Sequence, residues 1–391
     1  MDTIKNAINT LSSYIEREEF KGYDPYDSLN SPLFKILKGN VIPAVFTQIQ
    51  KRNAFNIRPL IGVHKEYNPK GIGLLLSAYC KLYKQFNDNH YLEQSHKLFE
   101  IIKSLKSEGY SGAAWGYNFD WVSISNSLPA YAPSAVVTSF VIQGIYEYFT
   151  ITGSESAKEI IISSADFIIK DLPINKFYNG KCIAYTKDYK NCCYNASLLG
   201  AEILAIVYKI TNNTDNLNLI DELVNSVVSM QKENGVWFYD YNLQKKTEKK
   251  QIDFHQGFVL NSISNIIKLT EIDENKYKES IVKGLDFYYN NQFNQEGKSL
   301  WRIPKEYPVD IHNQSQGIIT FATHKMYNEK YLLFARKIAD WTIDNMQDKK
   351  GYFYYKINRL GKNKISFMRW SQAWMLLALS TFILEKRDNN N

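Results

Sequence analysis

A polar residue followed by a small one opens one apolar segment after another along this chain: Lys70-Gly71, Ser134-Ala135, Asn195-Ala196, Gln256-Gly257, Gln316-Gly317 and Gln372-Ala373. The intervals are 64, 61, 61, 60 and 56 residues. Each pair starts a stretch that is apolar on nearly every side of a helix, and such a helix must be enclosed by others. Between them lie two-faced segments at 91–107, 155–171, 216–232, 276–293 and 331–348, with apolar residues at three- and four-residue spacing. The pattern predicts an all-α ring of six helical hairpins, with an inner and an outer layer. A length of 391 residues exceeds one ordinary core, but a unit near sixty residues repeated around an axis needs no second domain. Residues 1–391 are therefore read as one domain. Residues 3–20 or 31–52 supply the sixth outer helix, so that 1–52 closes the ring, and 385–391 form a disordered tail.

Composition narrows the function. A hydrophobic share of 45% and a charged share of 22% exclude a disordered or collagen-like chain. Lysines and arginines number 47 against 40 acids, a net charge of +7. They are scattered among glutamates as on solvated helix faces, not gathered as a nucleic-acid footprint. No apolar run follows a basic start and none is long enough to span a bilayer, so a cytoplasmic protein is expected. Cys80, Cys182, Cys192 and Cys193 have no Cys-x-x-Cys spacing and read as buried thiols. Aromatics make up 14% of the chain, and that excess must fill a core or contact flat ligands.

After each outer segment comes a glycine and then aromatic, strand-like residues: Gly112 to Trp115 and Tyr117, Gly180 to Tyr185, Gly235 to Trp237 and Tyr239, Gly297 to Trp301, Gly351 to Tyr355. These longer connections, carrying short β-hairpins, all enter the starts of inner helices, whereas those at the other end, such as 211–215 and 270–273, are short and polar. An aromatic crater is expected on the face where the inner helices begin. Six helix N-termini converging there favour an anion, as do Lys65, Lys187, Lys190, Arg302, Lys305, Arg359 and Arg369 in the same connections. Trp115, Trp121, Trp237, Trp301 and Trp370 offer faces for sugar rings, or hold the hairpins to the ring.

At this point the chain resembles the (α/α)6 toroids of the six-hairpin glycosidase-like superfamily. Residues 22–32, Gly-Tyr-Asp-Pro-Tyr-Asp-Ser-Leu-Asn-Ser-Pro, and 369–374, Arg-Trp-Ser-Gln-Ala-Trp, are similar to a family associated with bacterial surface-polysaccharide biosynthesis. The resemblance implies the toroid and a link to polysaccharide assembly. It assigns no catalytic residue, and related toroids include hydrolases, lyases and sugar epimerases. Residues 231–237, Gln-Lys-Glu-Asn-Gly-Val-Trp, also read as the Gln-x-x-x-Gly-x-Trp motif of terpene-cyclase toroids. No Asp-Asp pair accompanies it to bind a diphosphate, so it reads better as a helix end, a glycine stop and a packing aromatic.

Polar residues concentrate just before the inner helices. Asp253, His255, Asp310 and His312 are the candidate acid/base groups, although each aspartate is also placed to cap a helix. A glycosidase needs two carboxyls across a sugar bond, drawn from Asp120, Asp240, Asp253, Glu306 and Asp310. A lyase or epimerase would use His255, His312, Tyr117, Tyr239 or Tyr307 as base, with Arg302 or Arg369 beside the developing enolate. Trp115, Tyr117, Asp120, Trp237, Tyr239, Gln256, Trp301, Arg302, Gln316, Arg369 and Trp370 are the candidate substrate contacts. His64, His90, His96 and His324 read as surface or core residues. Asp-x-His occurs twice, but two side chains at that spacing diverge on a helix, so no metal and no cofactor is expected. The predicted function is acid/base chemistry on an acidic or substituted oligosaccharide or polysaccharide precursor, glycosidase-like, with epimerase or lyase chemistry, a non-catalytic glycan-binding toroid and a prenyl-cyclase-like toroid as alternatives. Residues 22–32 either cap a turn or fold over the crater.

Overall fold

The computed structural model describes residues 2–34, 39–123, 127–189 and 191–387. Helix caps fall where the sequence supplies them. Pro69 starts α3 (Pro69–Phe86) under an Asn68 side chain that accepts the Gly71 N–H, and Ser134 caps α5 (Ala135–Thr152) in the same way. Left-handed residues end both, Asn87 and Gly153, and do the same for α7 (Tyr194–Thr211) at Asn212 and α9 (His255–Thr270) at Glu271. Together with α11 (Ile311–Thr323) and α13 (Trp374–Arg387) these helices form the inner ring. Each packs on its sequence neighbour, and α13 closes on α3. The outer layer is α4 (Asn89–Ser104), α6 (Glu155–Asp166), α8 (Leu217–Val228), α10 (Asn275–Asn291) and α12 (Lys330–Met346).

The sixth outer helix is α1 (Asp2–Arg17), which packs on α12 and α13 and buries Ile4, Ile8, Leu11 and Ile15. The other candidate segment instead carries α2 (Val41–Arg52), which rests on the short turn Asp27–Asn30 beside the crater. The C-terminal segment stays helical to Arg387, and the rest of the expected tail, 388–391, lies outside the described residues. All four cysteines are free and buried. No helix among the described residues is long and apolar enough to cross a membrane.

The connections are tied down by a ladder that the dipeptide pattern only approximates. Side chains of Thr138, Ser197, Gln256, Gln314 and Gln372 accept the backbone N–H of Trp115, Ile183, Trp237, Ser299 and Phe353 respectively, at 2.7–3.1 Å. Their intervals are 59, 59, 58 and 58 residues, tighter than the spacing of the pairs. In the fifth unit the tie is Gln314, so Gln316 is out of step by two. The glycine before each connection packs on the next outer helix. A Cβ at Gly112, Gly180, Gly235, Gly297 or Gly351 would collide with backbone at Ser163, Glu222, Lys283, Ile338 or Thr10. The last of these contacts latches the connection to α1 and completes the circle.

The Gln231–Trp237 motif belongs to this architecture. Gln231 Nε2 bonds the Gly235 carbonyl at 3.0 Å and the Ser280 carbonyl at 2.9 Å, and the Trp237 indole N–H bonds Val227 O at 2.9 Å.

Candidate active site

The long connections and inner-helix starts enclose a cavity of about 430 Å³ on the expected face. Phe140, Phe258 and Trp374 close the axis beneath it, with ring centroids 5.1–5.6 Å apart. Lys70, from the first turn of α3, stands on this plug. Its Nζ lies 4.2 Å from the Phe140 centroid and 5.3 Å from that of Trp374, and the side chain is buried. Burial, aided by the Arg369 charge, pushes its pKa well below the usual lysine range.

At one wall Asp253 Oδ1 meets His255 Nδ1 at 2.5 Å and also accepts the His255 backbone N–H at 3.2 Å. Asp253 thus receives the first N–H of α9 and orients the imidazole at once. Gln251 Nε2 donates to Oδ2 at 2.7 Å, and Arg302 Nε lies 3.5 Å from the same oxygen. Burial would raise this carboxyl, but the His255 charge, its hydrogen bonds and Arg302 outweigh it and hold the pKa below the usual range. Asp253 is therefore ionised near neutrality.

His312 lines the cavity from the start of α11. Its ring stacks on Phe254 at 4.2 Å, and Phe254 stacks on His255 at 4.3 Å. Neither ring nitrogen of His312 has a partner among the described residues. Burial, with the charges of Lys70, Arg369 and His255, pushes its pKa well down, so the ring is neutral.

Asp310 is a correction. It does not line the cavity but stands behind Trp370, accepting the Trp370 indole N–H at 2.8 Å and the His312 backbone N–H at 3.0 Å. Burial raises its pKa against those hydrogen bonds. Its side chain therefore positions Trp370 and caps α11, and the second Asp-x-His does not form a side-chain pair.

The other wall joins the two ends of the chain. Arg369, in the π-helical turn Met368–Ala373, makes a two-pronged pair with Asp24 at 2.6 and 2.8 Å, and Asp27 pairs with fully buried Arg58 at 2.5 Å. Burial pushes Asp27 up to about 7 against the pull of Arg58. Residues 22–32 thus both build a capped turn and reach the crater, where Tyr26 stands 5.8 Å from Trp370. Tyr117 lies under the Arg369 guanidinium at 4.9 Å, Tyr239 is edge-on to His255 at 4.7 Å, and Arg302 covers the Trp301 ring at 5.2 Å.

Several expected contacts lie elsewhere. Trp115 is wholly buried between the layers, its indole N–H on Ile102 O at 2.9 Å, and Trp237 is buried likewise. Gln256 spends its amide on Trp237 N and on the Gly235 and Gly284 carbonyls. Gln316 points below the plug, bonding Thr320 Oγ1 at 3.0 Å. Asp120 accepts the Ala130 N–H in a side pocket. In the connections at Trp115 and Trp237 the first aromatic wedges between layers and the one two residues on, Tyr117 or Tyr239, reaches the cavity.

Asp253 is the one carboxylate lining the cavity among the described residues, against Lys51, Lys70, Lys249, Arg302 and Arg369. Asp240 is held by Tyr189 at 2.7 Å, and Glu306 pairs with Lys298 at 2.5 Å in solvent. Of the basic residues expected at the mouth, Arg302 and Arg369 line it, and Lys190 lies outside the described residues. Sequence reasoning missed Lys51, Lys249 and, above all, Lys70. The signal for Lys70 was present, since it is the one charged member of the six polar-small pairs. Among the described residues no three or more His, Cys, Asp or Glu side chains converge as metal ligands.

The sequence matches no family model and no curated protein. In structure the chain is similar to cellobiose 2-epimerase from Bacillus thermoamylovorans, with 15% identity, 83% of this chain and 90% of that one covered, and a TM-score of 0.62. It is similar to an alpha-mannanase from Bacteroides thetaiotaomicron, with 14% identity, 82% and 87% covered, and a TM-score of 0.64. An unsaturated glucuronyl hydrolase specific for heparin matches at 13% identity over 99% and 97% of the two chains, with a TM-score of 0.66. The fold is the six-hairpin (α/α)6 toroid of these glycosidase-like enzymes.

Proposed function

We propose that this protein is a carbohydrate-active enzyme whose crater holds a sugar bearing an anionic group, and that it moves a proton on a carbon beside the sugar carbonyl. The observation that carries this reading is an ionised Asp253 bonded to His255, with a neutral His312 stacked on the same Phe254 ring and its nitrogens without a partner among the described residues, in a cavity with no second carboxylate among those residues. A pair of carboxyls flanking a glycosidic bond is not assembled there, which favours isomerase or epimerase chemistry over a two-carboxylate hydrolase. That toroids similar to this one include a cellobiose 2-epimerase and a D-mannose isomerase is compatible with the reading.

In the proposed step Asp253 accepts a hydrogen bond from the Nδ1–H of His255 and leaves Nε2 free as base. Nε2 takes the proton from the carbon, and the resulting imidazolium is stabilised by Asp253. Electron density moves to the carbonyl oxygen, forming an enediolate. The N–H groups of neutral His312 and of Lys70 are the donors available to stabilise that oxygen. When the hydroxyl proton of the first carbon passes to the former carbonyl oxygen, return of the proton from His255 to the former carbonyl carbon completes an isomerisation. When the enediolate turns its opposite face to His255, return to the first carbon completes an epimerisation.

Incubating the protein in D₂O with reducing sugars and uronate-containing oligosaccharides tests this. The expected product carries one deuterium on carbon, at the original carbonyl carbon after an isomerisation or at its neighbour after an epimerisation, and His255→Asn lowers its formation by roughly 10²–10⁴-fold. New reducing ends without deuterium on carbon would identify a hydrolase instead. Saturable binding without any product would leave the binding-toroid reading.

A further inference from the structure

The ring holds a second cavity, of about 280 Å³, on the far side of the Phe140, Phe258 and Trp374 plug from the crater. All six inner helices line it. Four buried polar atoms on its lining residues have no hydrogen-bond partner among the described residues: Glu202 Oε2, Asn261 Oδ1, Gln316 Oε1 and Trp374 Nε1. Glu202 is 2% exposed and its Oε1 is fixed by Gln143 Nε2 and Asn265 Nδ2, each at 2.9 Å. One carboxylate oxygen is thus held in place and the other left unmet. Burial pushes this carboxyl up to about 7 against those hydrogen bonds. Leaving such groups unpaired costs stability, so a cluster of them around one space marks a place where something else supplies the bonds.

The chemistry of the missing partner follows from the count. Three unmet acceptors and one unmet donor suit hydroxyl groups, which donate and accept, and the aromatic plug offers ring faces to the apolar side of a sugar. Lys81, Glu147 and Lys268 also line it, with Lys81 paired to Glu147 at 2.6 Å, so the lining holds no surplus of negative charge to favour an organic cation. The volume lies at the small end of ligand pockets, enough for one ring and not a chain. We infer that this cavity is a second binding site, for a neutral pyranose-sized polyol held by Glu202, Asn261 and Gln316 and seated on Trp374. The site is independent of the chemistry proposed for the crater.

D-Glucose is the probe. The full chain is titrated with it by calorimetry and crystallised with it at high concentration. The expected results are saturable binding, a pyranose in the lower cavity with a hydroxyl on Glu202 Oε2, and at least tenfold weaker binding by Glu202→Gln or Asn261→Leu. His255→Asn, in the crater, leaves the affinity unchanged. Ordered water that stays on all four atoms at saturating glucose would overturn the inference, as would glucose found only in the crater. Affinity unchanged in both cavity variants would do the same. The wild-type crystal decides the matter even where a variant fails to fold.

Discussion

His255 and Glu202 show how one environment can ready a group for proton transfer and another hold it back. Asp253 is buried yet ionised because a histidine, a glutamine and an arginine all donate to it or face it. Glu202 is buried with neutral donors, the amides of Gln143 and Asn265 and the Ser262 hydroxyl, and rises to about 7. Between the ordinary glutamate range and pH 7 the folded protein therefore holds a proton on Glu202 that the unfolded chain has lost. Stability should fall as pH rises through that window, by on the order of 3 kcal/mol for this group, and stay level above it. Urea unfolding at pH 5 and pH 8 should show Glu202→Gln losing that part of the slope, whereas an unaltered slope would mean that the carboxyl is ionised throughout. Asp253 works in the opposite sense, because its stabilisation is present near neutrality and is lost as pH falls through its lowered pKa. At this scale the candidates His255, His312, Arg302 and Arg369 from the sequence all line the cavity. Sequence reasoning misplaced Trp115, Trp237 and Gln256, because a side chain that holds two layers together and one that faces a cavity carry the same residue types in the same short connection.

The hairpin unit was far more legible. Five outer helices begin within about two residues of their expected starts, since an amphipathic stripe is written directly in the spacing of apolar residues. The tie between layers was only half visible. The polar-small pairs revealed a period, yet the bond that sets it comes from Thr138, Ser197, Gln256, Gln314 and Gln372, whose chemistry changes from hydroxyl to amide along the ring. Glycine is the stricter signal. Gly351 has φ +98 and its missing Cβ makes room for the Thr10 carbonyl, so a side chain there meets both backbone strain and a steric block. Gly351→Ala should cost about 2–4 kcal/mol, read by chemical denaturation, and loosen α1 before the other outer helices in hydrogen exchange. A loss under about 0.5 kcal/mol would show that the latch does not hold the ring.

Over the whole molecule, closure is the controlling feature. Ile4, Ile8, Leu11 and Ile15 are at most 1% exposed, and burying each contributes about 1.5–3 kcal/mol as an upper estimate. Their sum is comparable to the entire stability of a typical protein. Removing residues 1–20 should therefore leave a chain that does not fold cooperatively, with the peptide 1–20 restoring the transition when added back. A truncated chain that melts like the full one would refute the account of α1 as the closing helix. The sequence by itself determined the period, the two helix layers, the face that carries the long connections and the excess of positive charge there, because these depend on local spacing and composition. Only the tertiary structure decided which end residues meet. Asp24 and Arg369 are 345 positions apart yet share one ion pair. Lys70, His255 and His312 come from three different units, and Glu202 faces a second cavity beneath them. A ring brings equivalent positions of all its units to one axis, and no local pattern records which side chains will face each other across it.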